Sequence, residues 1–155
     1  MDDLLKFAIH CAKESGNIQK RYYEQNFTIH HKGEINLVTD VDYLCQERIM
    51  GFIKETFPDD EIISEEKTNT YDNTKNRWII DPLDGTTNYA HGYPFFCTSV
   101  AYEKEGDIIV GAVYNPIFDE LFYSKKGEGA YLNGNRINVS KIKGLKNALL
   151  STGFP

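Results

Sequence analysis

The chain has little cysteine and no long apolar run, which limits where it can reside. Cys11, Cys45 and Cys97 are odd in number and far apart, and none forms a Cys-x-x-Cys pair. Such spacing argues against a disulfide framework and predicts reduced, partly buried thiols. No apolar stretch is long enough to cross a bilayer, and the sequence begins Met-Asp-Asp rather than with a signal peptide. We therefore expect a cytoplasmic protein without membrane contact.

Long basic runs are also absent. The 155 residues carry 17 Lys and Arg against 23 Asp and Glu, a formal net charge of −6. This balance argues against a nucleic-acid partner. It argues only weakly against an anionic substrate, because bound cations can reverse the local field. The length suits one domain with a sizeable core, and the sequence contains no repeat, low-complexity segment or linker.

The most informative stretch runs from Asp81 to Asn88. It follows the apolar residues 78–80, which predict a buried strand, and Pro82 is expected to end that strand in a turn. Asp81 and Asp84 lie on either side of the Leu83 carbonyl. Hard oxygen donors of this kind suit Mg²⁺.

The residues after Asp84 add a second feature. Gly85 allows a ligand to approach the backbone closely, and the residues that follow can begin a helical turn whose free N–H groups favour an anion. Together the two features predict a cation beside a phosphate. The alternative is an ordinary turn, in which Asp accepts backbone N–H bonds and Gly supplies a positive φ. The four-residue pattern alone leaves both open.

Two helices are predicted before this stretch. The first covers about residues 2–25 and the second runs from Thr39 or Asp40, either of which can cap it, to Thr56. Their predicted inner faces consist of Leu4, Ala8, Cys11, Ser15, Ile18 and Tyr22 in the first helix, and of Val41, Cys45, Ile49, Phe52 and Thr56 in the second.

The segments beside these helices are polar. His30 and His31 are adjacent in a predicted extended segment and would point to opposite faces, so they are a poor metal pair. Residues 61–66 predict a strand that ends in Glu65 and Glu66, a pair that is usually only solvated charge. Residues 67–77 predict a surface loop.

Consecutive strands are predicted after the central stretch. Residues 96–103, 107–114 and 120–124 have strand patterns, and Asn133-Gly134 predicts a hairpin between residues 130–132 and 136–139. Short turns between consecutive strands imply antiparallel pairing. The expected fold class is therefore α+β, with the two N-terminal helices packed on a largely antiparallel β-sheet.

A longer motif contains the Asp81–Asn88 stretch. The run from Trp78 to Phe96, WIIDPLDGTTNYAHGYPFF, resembles the first signature motif of the inositol monophosphatase family, Mg²⁺-dependent phosphatases of a lithium-sensitive sugar-phosphatase superfamily. Val38, Thr39 and Asp42 match the family's Val-Thr-x-x-Asp segment. Residues 64–66 are similar to its Gly-Glu-Glu element, with Ser in place of Gly.

The resemblance implies a metal site. Its expected ligands are Glu65, Asp81, the Leu83 carbonyl and Asp84, and the expected cofactor is Mg²⁺, with more than one ion bound. Mg²⁺ keeps several waters and uses few carboxylates, so this set is chemically sufficient for a partial site.

The resemblance also implies the catalytic and substrate-binding residues. Asp42, rather than Asp40, is the functional acid of the second helix, and its carboxylate pairs with the Thr86 hydroxyl to orient the attacking water, with Glu65 nearby. Asp84 and the amides of Gly85 and Thr86 would bind the substrate.

The implied reaction is hydrolysis of inositol monophosphate or a similar sugar phosphate by direct attack of water. The resemblance covers all 155 residues. The alternatives are a related fructose-1,6-bisphosphatase or nucleotide phosphatase, and a non-enzymatic or regulatory binding protein on the same scaffold. His91 is expected to have a structural rather than an acid–base role. The expected partners are a small phosphate ester and a second copy of the chain in a homodimer, without nucleic acid.

The chain is expected to form only part of the family's fold. It resembles the N-terminal α+β portion, residues 1–155, of a layered αβαβα arrangement. The family's second motif, which begins Trp-Asp and carries a further metal-ligating Asp, has no match in this sequence. A C-terminal domain is therefore expected to be missing from this sequence.

Overall fold

The computed structural model describes residues 3–25, 28–32, 36–65 and 76–151. Two long helices, α1 (Asp3–Tyr22) and α2 (Asp40–Thr56), pack on a seven-stranded sheet, and a separate two-stranded ribbon joins them. The ribbon consists of β1 (Ile29–Lys32) and β2 (Asn36–Thr39). The remaining elements are β3 (Glu61–Ser64), β4 (Arg77–Asp84), α3 (Thr86–Ala90), β5 (Cys97–Lys104), β6 (Asp107–Asn115), β7 (Glu120–Lys125), β8 (Gly129–Leu132), β9 (Asn135–Ile137) and a 3₁₀ turn (Leu145–Asn147).

The large sheet confirms the α+β prediction. Its strands follow one another in sequence order from β3 to β9, and all neighbouring pairs are antiparallel except β3 and β4. The Asn133-Gly134 hairpin is confirmed, with φ of 48° and 85° at its two central residues. The parallel β3–β4 pair was not predicted. Its connection includes residues 66–75, so most of the predicted 67–77 loop and Glu66 lie outside the described residues.

Both helices are confirmed, but their buried faces differ from the predicted stripes. In α1 the predicted Leu4, Ile18 and Tyr22 are only half-buried. In α2 Ile53 is buried, whereas Phe52 is half-buried and Thr56 is exposed. The residues buried in α1 are Leu5, Ala8, Cys11, Ala12, Ser15, Gly16 and Gln19. Most of these side chains are small, which brings the helix close to the sheet.

Pro82 does not end its strand, contrary to the sequence-based expectation. Strand β4 continues to Asp84, with a shift of register between Asp81, opposite Ser99, and Asp84, opposite Cys97. Proline donates no ladder hydrogen bond, and a bulge is one of the few places in a sheet where that is tolerated. The central motif is thus an irregular strand end rather than a turn.

The three cysteines lie at different depths in the fold, as unpaired thiols. Cys11 and Cys45 are buried and Cys97 is half-buried, and all three are free. Within the ranges that the structure describes, no helix is both long and apolar enough to cross a membrane.

Gly16 allows α1 to lie close to β6. A Cβ atom at this position would lie 2.5 Å from Cδ1 of Tyr114 and 3.3 Å from Cβ of Pro116. We expect Gly16→Ala to lower the free energy of unfolding by about 1–3 kcal/mol, since overpacking outweighs the better helix propensity of alanine. Gly51→Ala is the matched control, because a Cβ at that exposed position of α2 meets nothing within 4 Å. Urea denaturation should show Gly51→Ala stabilising by about 0.4–1 kcal/mol; stabilisation by both variants would contradict the packing argument.

Candidate active site

The C-terminal ends of β3 and β4 bring acidic residues together. Ser64 of β3 is opposite Ile80 of the parallel strand β4, so Glu65 is level with Asp81. The Asp81 carboxyl accepts a hydrogen bond from the Leu83 N–H, while its buried Oδ1 has no hydrogen-bond partner among the described residues. Burial, followed by the charges of Glu65 and Asp84, raises the pKa of Asp81 to about 7. The free carboxylate is therefore poorly accommodated without a counter-charge.

A cation fits this arrangement. An orphaned buried oxygen, surrounded by further carboxylates, would gain a partner and lose repulsion if a hard divalent ion bound. Within the described ranges, no group of three or more His, Cys, Asp and Glu side chains is already arranged to hold a metal ion. Like charges repel in the absence of a cation, and Mg²⁺ in proteins also takes water and carbonyl oxygens as ligands. The assignment of Glu65, Asp81, Leu83 and Asp84 as ligands stays a prediction.

Asp42 joins the start of α2 to the central motif. Its Oδ2 lies 2.7 Å from the Thr39 N and 2.5 Å from the Thr39 Oγ1, which closes a capping box with Thr39 as N-cap. Its other oxygen, Oδ1, lies 2.8 Å from the Thr86 Oγ1. Burial raises the pKa of Asp42, although the hydrogen bonds from Thr39 and Thr86 oppose that shift. Asp42 therefore caps the helix and reaches the site at the same time, while Asp40 pairs with His30 at 2.7 Å.

The Thr86 hydroxyl stands between two acceptors. Besides Asp42 Oδ1, its Oγ1 lies 3.0 Å from the Leu83 carbonyl oxygen. It has a single proton, so it donates to one acceptor at a time and keeps lone pairs that can accept from another group. The helical turn predicted after Gly85 is confirmed as α3, with Gly85 as its N-cap at a φ of 90°.

Sequence comparison decides the family. The profile of the inositol monophosphatase family matches residues 1–155. The chain belongs to the inositol monophosphatase family.

Individual relatives agree with this assignment. The chain is 42% identical to inositol monophosphatase 2 of Solanum lycopersicum, over 98% of its own length and 59% of the relative's. It is also 42% identical to a protein of Aquifex aeolicus named fructose-1,6-bisphosphatase/inositol-1-monophosphatase, over 100% of its own length and 61% of the relative's. The chain therefore spans about three-fifths of the length of these curated relatives.

A solved structure shows the same fold. The crystal structure of the extragenic suppressor protein SuhB from Bartonella henselae matches with a TM-score of 0.86 and 34% sequence identity. The match covers 91% of this chain and 56% of the other. The expected α+β fold of the inositol monophosphatase family is thereby confirmed.

The remaining predicted site residues differ in exposure. Glu65 and Asp84 are exposed, and Asp84 Oδ2 lies 3.7 Å from the Cys97 Sγ. Exposed His91 has its Nδ1 2.7 Å from the Thr87 carbonyl oxygen, in keeping with the structural role expected for it.

A cavity of about 420 Å³ adjoins Asp84 and Gly85. Besides Asn88 of the central motif, it is lined by residues for which the sequence offered no signal, namely Asn115, Glu120 and Phe122. These three come from β6 and β7, and only the pairing of the sheet brings them next to the β4–α3 junction. A pattern read along the chain could not have found them.

Gly85 is required by backbone conformation and by space. A Cβ atom at this residue would lie 3.0 Å from the Phe95 carbonyl oxygen and 3.3 Å from Cα of Phe96, at a φ of +90°. We expect Gly85→Ala to displace the start of α3 and to lower roughly 100-fold the phosphate release proposed below for the full-length gene product, because small displacements of catalytic groups are costly. Gly92→Ala is the control: its φ is +70°, but its Cβ would meet nothing within 4 Å. Equal loss of activity in both variants would show that backbone strain alone is responsible.

Proposed function

We propose that the protein containing this chain hydrolyses a small phosphate monoester, inositol monophosphate or a similar sugar phosphate, with water as nucleophile and Mg²⁺ as cofactor. The observation that carries the proposal is the buried, unpartnered Oδ1 of Asp81 beside two further carboxylates, Glu65 and Asp84. This arrangement calls for a cation, and the neighbouring contact of Asp42 with Thr86 can orient a water.

The metal site would be formed by Glu65, Asp81, the Leu83 carbonyl and Asp84, with more than one Mg²⁺ ion. When bound, Mg²⁺ supplies positive charge that neutralises the phosphoryl oxygens and makes water more acidic. Asp84, beside the cavity, would also contact the substrate.

The protein's own groups would orient the nucleophile. When Thr86 donates a hydrogen bond to Asp42 Oδ1, its oxygen lone pairs are free to accept a hydrogen bond from water. That water is thereby aimed at the phosphorus, with Glu65 nearby, while the Gly85 and Thr86 amides hold the phosphate. Thr86 is not the nucleophile in this scheme, since the carboxylate that it contacts serves to orient it rather than to form a Ser-His type relay.

The reaction is tested by phosphate release from the full-length gene product. Release should require Mg²⁺ and stop on addition of EDTA, and reaction in ¹⁸O-labelled water should place the label in the phosphate. Label found only in the alcohol would mean C–O cleavage and would refute attack at phosphorus.

The substrate is narrowed by a panel of phosphate esters. The Aquifex aeolicus relative is named for both fructose-1,6-bisphosphate and inositol monophosphate, so both belong in the panel beside a nucleotide phosphate. We place inositol monophosphate first, because residues 88–94 resemble the inositol monophosphatase branch of the family. We also propose a cytoplasmic location and a homodimeric state. Size-exclusion chromatography of the full-length gene product would test the homodimer.

A regulatory binding role is the second candidate. The Bartonella henselae relative is named an extragenic suppressor protein rather than by a substrate. The Asp42–Thr86 contact and the orphaned Asp81 oxygen favour catalysis, since a scaffold that only binds a partner needs neither. Lack of turnover with every ester of the panel, in a folded protein supplied with Mg²⁺, would favour the binding role.

A further inference from the structure

The Pro82 carbonyl lies at the centre of a buried polar network. Its oxygen accepts hydrogen bonds from three side chains: the Ser15 Oγ at 2.9 Å, the Gln19 Nε2 at 2.8 Å and the Thr98 Oγ1 at 3.0 Å. All three donors are fully buried. The Gln19 Nε2 also donates to the Thr98 Oγ1 at 2.8 Å, so α1 and β5 hold the carbonyl jointly.

These three side chains bind the backbone at a point where β4 and β5 are not paired by backbone hydrogen bonds. The pairing of β4 with β5 passes from Asp81 directly to Asp84 and skips Pro82 and Leu83. Regular backbone pairing therefore does not fix the orientation of the peptide group between these two residues.

The orientation of that peptide group matters to Asp81. The Pro82–Leu83 peptide is trans and planar, so its C=O and N–H point in opposite directions. The carbonyl points at Ser15, Gln19 and Thr98, and the N–H on the other side donates to the Asp81 carboxyl. Fixing the carbonyl therefore directs the N–H that orients the carboxylate.

We propose that Ser15, Gln19 and Thr98 are positioning residues for the metal site: by fixing the Pro82–Leu83 peptide they orient the Asp81 carboxylate for the bound cation. The inference rests on the proposed function, because it presumes that Asp81 binds the metal. None of the three side chains belongs to the metal or substrate contacts themselves.

Fold stability alone does not explain the glutamine. The buried Oε1 of Gln19 has no hydrogen-bond partner among the described residues. Leaving a buried acceptor unsatisfied costs about 1–3 kcal/mol, and an apolar side chain of similar size would avoid that cost. The Nε2 donor is therefore retained at the expense of stability, as expected if it orients a functional group.

The test uses Gln19→Leu and Thr98→Val, which keep side-chain size and remove the donors. In the full-length gene product each should weaken Mn²⁺ or Mg²⁺ binding about 10-fold by calorimetry, the range found for groups that orient metal ligands. Amide hydrogen exchange at Leu83 should accelerate in both variants without metal, because the peptide is then free to rotate. Thr98→Ser keeps the hydroxyl and should retain parent-like affinity and exchange.

Ile53→Val controls for lost stability. Ile53 is a fully buried core residue of α2, and this change typically costs about 0.5–1.5 kcal/mol. It should leave both the metal affinity and the Leu83 exchange unchanged. A metal affinity within about twofold of the parent in folded Gln19→Leu and Thr98→Val would overturn the inference, as would equal losses in Thr98→Ser and Thr98→Val.

Metal binding by the parent protein separates a failure of the proposed function from a failure of the positioning role. A parent protein that binds no metal would overturn the proposed function and this inference with it. Normal metal binding in the parent, with unaltered affinity and Leu83 exchange in the variants, would overturn this inference alone.

Discussion

Asp81→Asn is expected to remove metal binding and activity while it stabilises the metal-free fold. Asparagine keeps the shape of the side chain but offers no negative charge to a cation. Phosphatase activity of the full-length gene product should fall roughly 100-fold or more, and calorimetry should show metal affinity lost in parallel.

The stability effect has the opposite sign because of the raised pKa. Burial and the charges of Glu65 and Asp84 bring the pKa of Asp81 to about 7, above its ordinary value of 3.8. Between those values the folded state holds more protons than the unfolded state, so stability falls as pH rises through that window. Asparagine cannot ionise and avoids this loss. At pH 8 in EDTA, Asp81→Asn should be more stable by on the order of 1 kcal/mol after allowance for solvent screening.

Asp107→Asn is the matched control for this prediction. Asp107 begins β6, at the end of that strand away from the site, and pairs with Lys126 on an exposed surface. The same chemical change there should alter neither metal affinity nor activity. Unchanged turnover in Asp81→Asn, or a metal-free fold that is weaker at pH 8, would show that Asp81 does not have the role assigned to it.

Sequence patterns correctly predicted a helix cap, a helix start and a hairpin turn, which depend on residues close together in the chain. Thr39 caps α2, Gly85 starts α3 and the Asn133-Gly134 turn closes a hairpin, as the side-chain chemistry of each required. The contact between Asp42 and Thr86, 44 residues apart, followed only from the family resemblance. No rule of spacing along the chain links these two residues.

Other features depend on tertiary packing and were missed for that reason. Pro82 remains within a strand because Ser15, Gln19 and Thr98 satisfy its carbonyl from outside the ladder. In the sequence, Gln19 is an ordinary helix residue. The helical periodicity of α1 cannot show that a proline carbonyl lies opposite its side chain. The parallel β3–β4 pair likewise follows from the sheet as a whole.

The chain of residues 1–155 is expected to be far less active on its own than the full-length gene product. The first reason lies at the site. The chain spans about three-fifths of the length of its curated relatives, and the family's second motif, which by the resemblance would carry a further metal-ligating Asp, has no match in this sequence. A cation held by fewer ligands is held less firmly, and water is then aimed less well. We expect activity per molecule lower by on the order of 100-fold.

The second reason lies at the sheet. Both long helices pack on one face, where Val100, Val110 and Ala112 are buried beneath them. Alternate residues of the same strands face the other side and remain partly accessible, and Phe122 is 36% exposed. Open apolar surface of this kind promotes association. We therefore expect the 155-residue chain to form oligomers in solution, beyond any dimer of the full-length gene product.

One comparison tests both expectations. The two proteins are assayed side by side with inositol monophosphate at saturating Mg²⁺, and each is examined by size-exclusion chromatography with light scattering. Phe122→Ser in the short chain should reduce its self-association, because it replaces an exposed aromatic side chain on the open face by a small polar one. It should not restore turnover, since solubility does not supply the further metal ligand that the resemblance implies. Equal turnover per molecule from the short chain and the full-length gene product would show that residues 1–155 carry every group that the reaction needs.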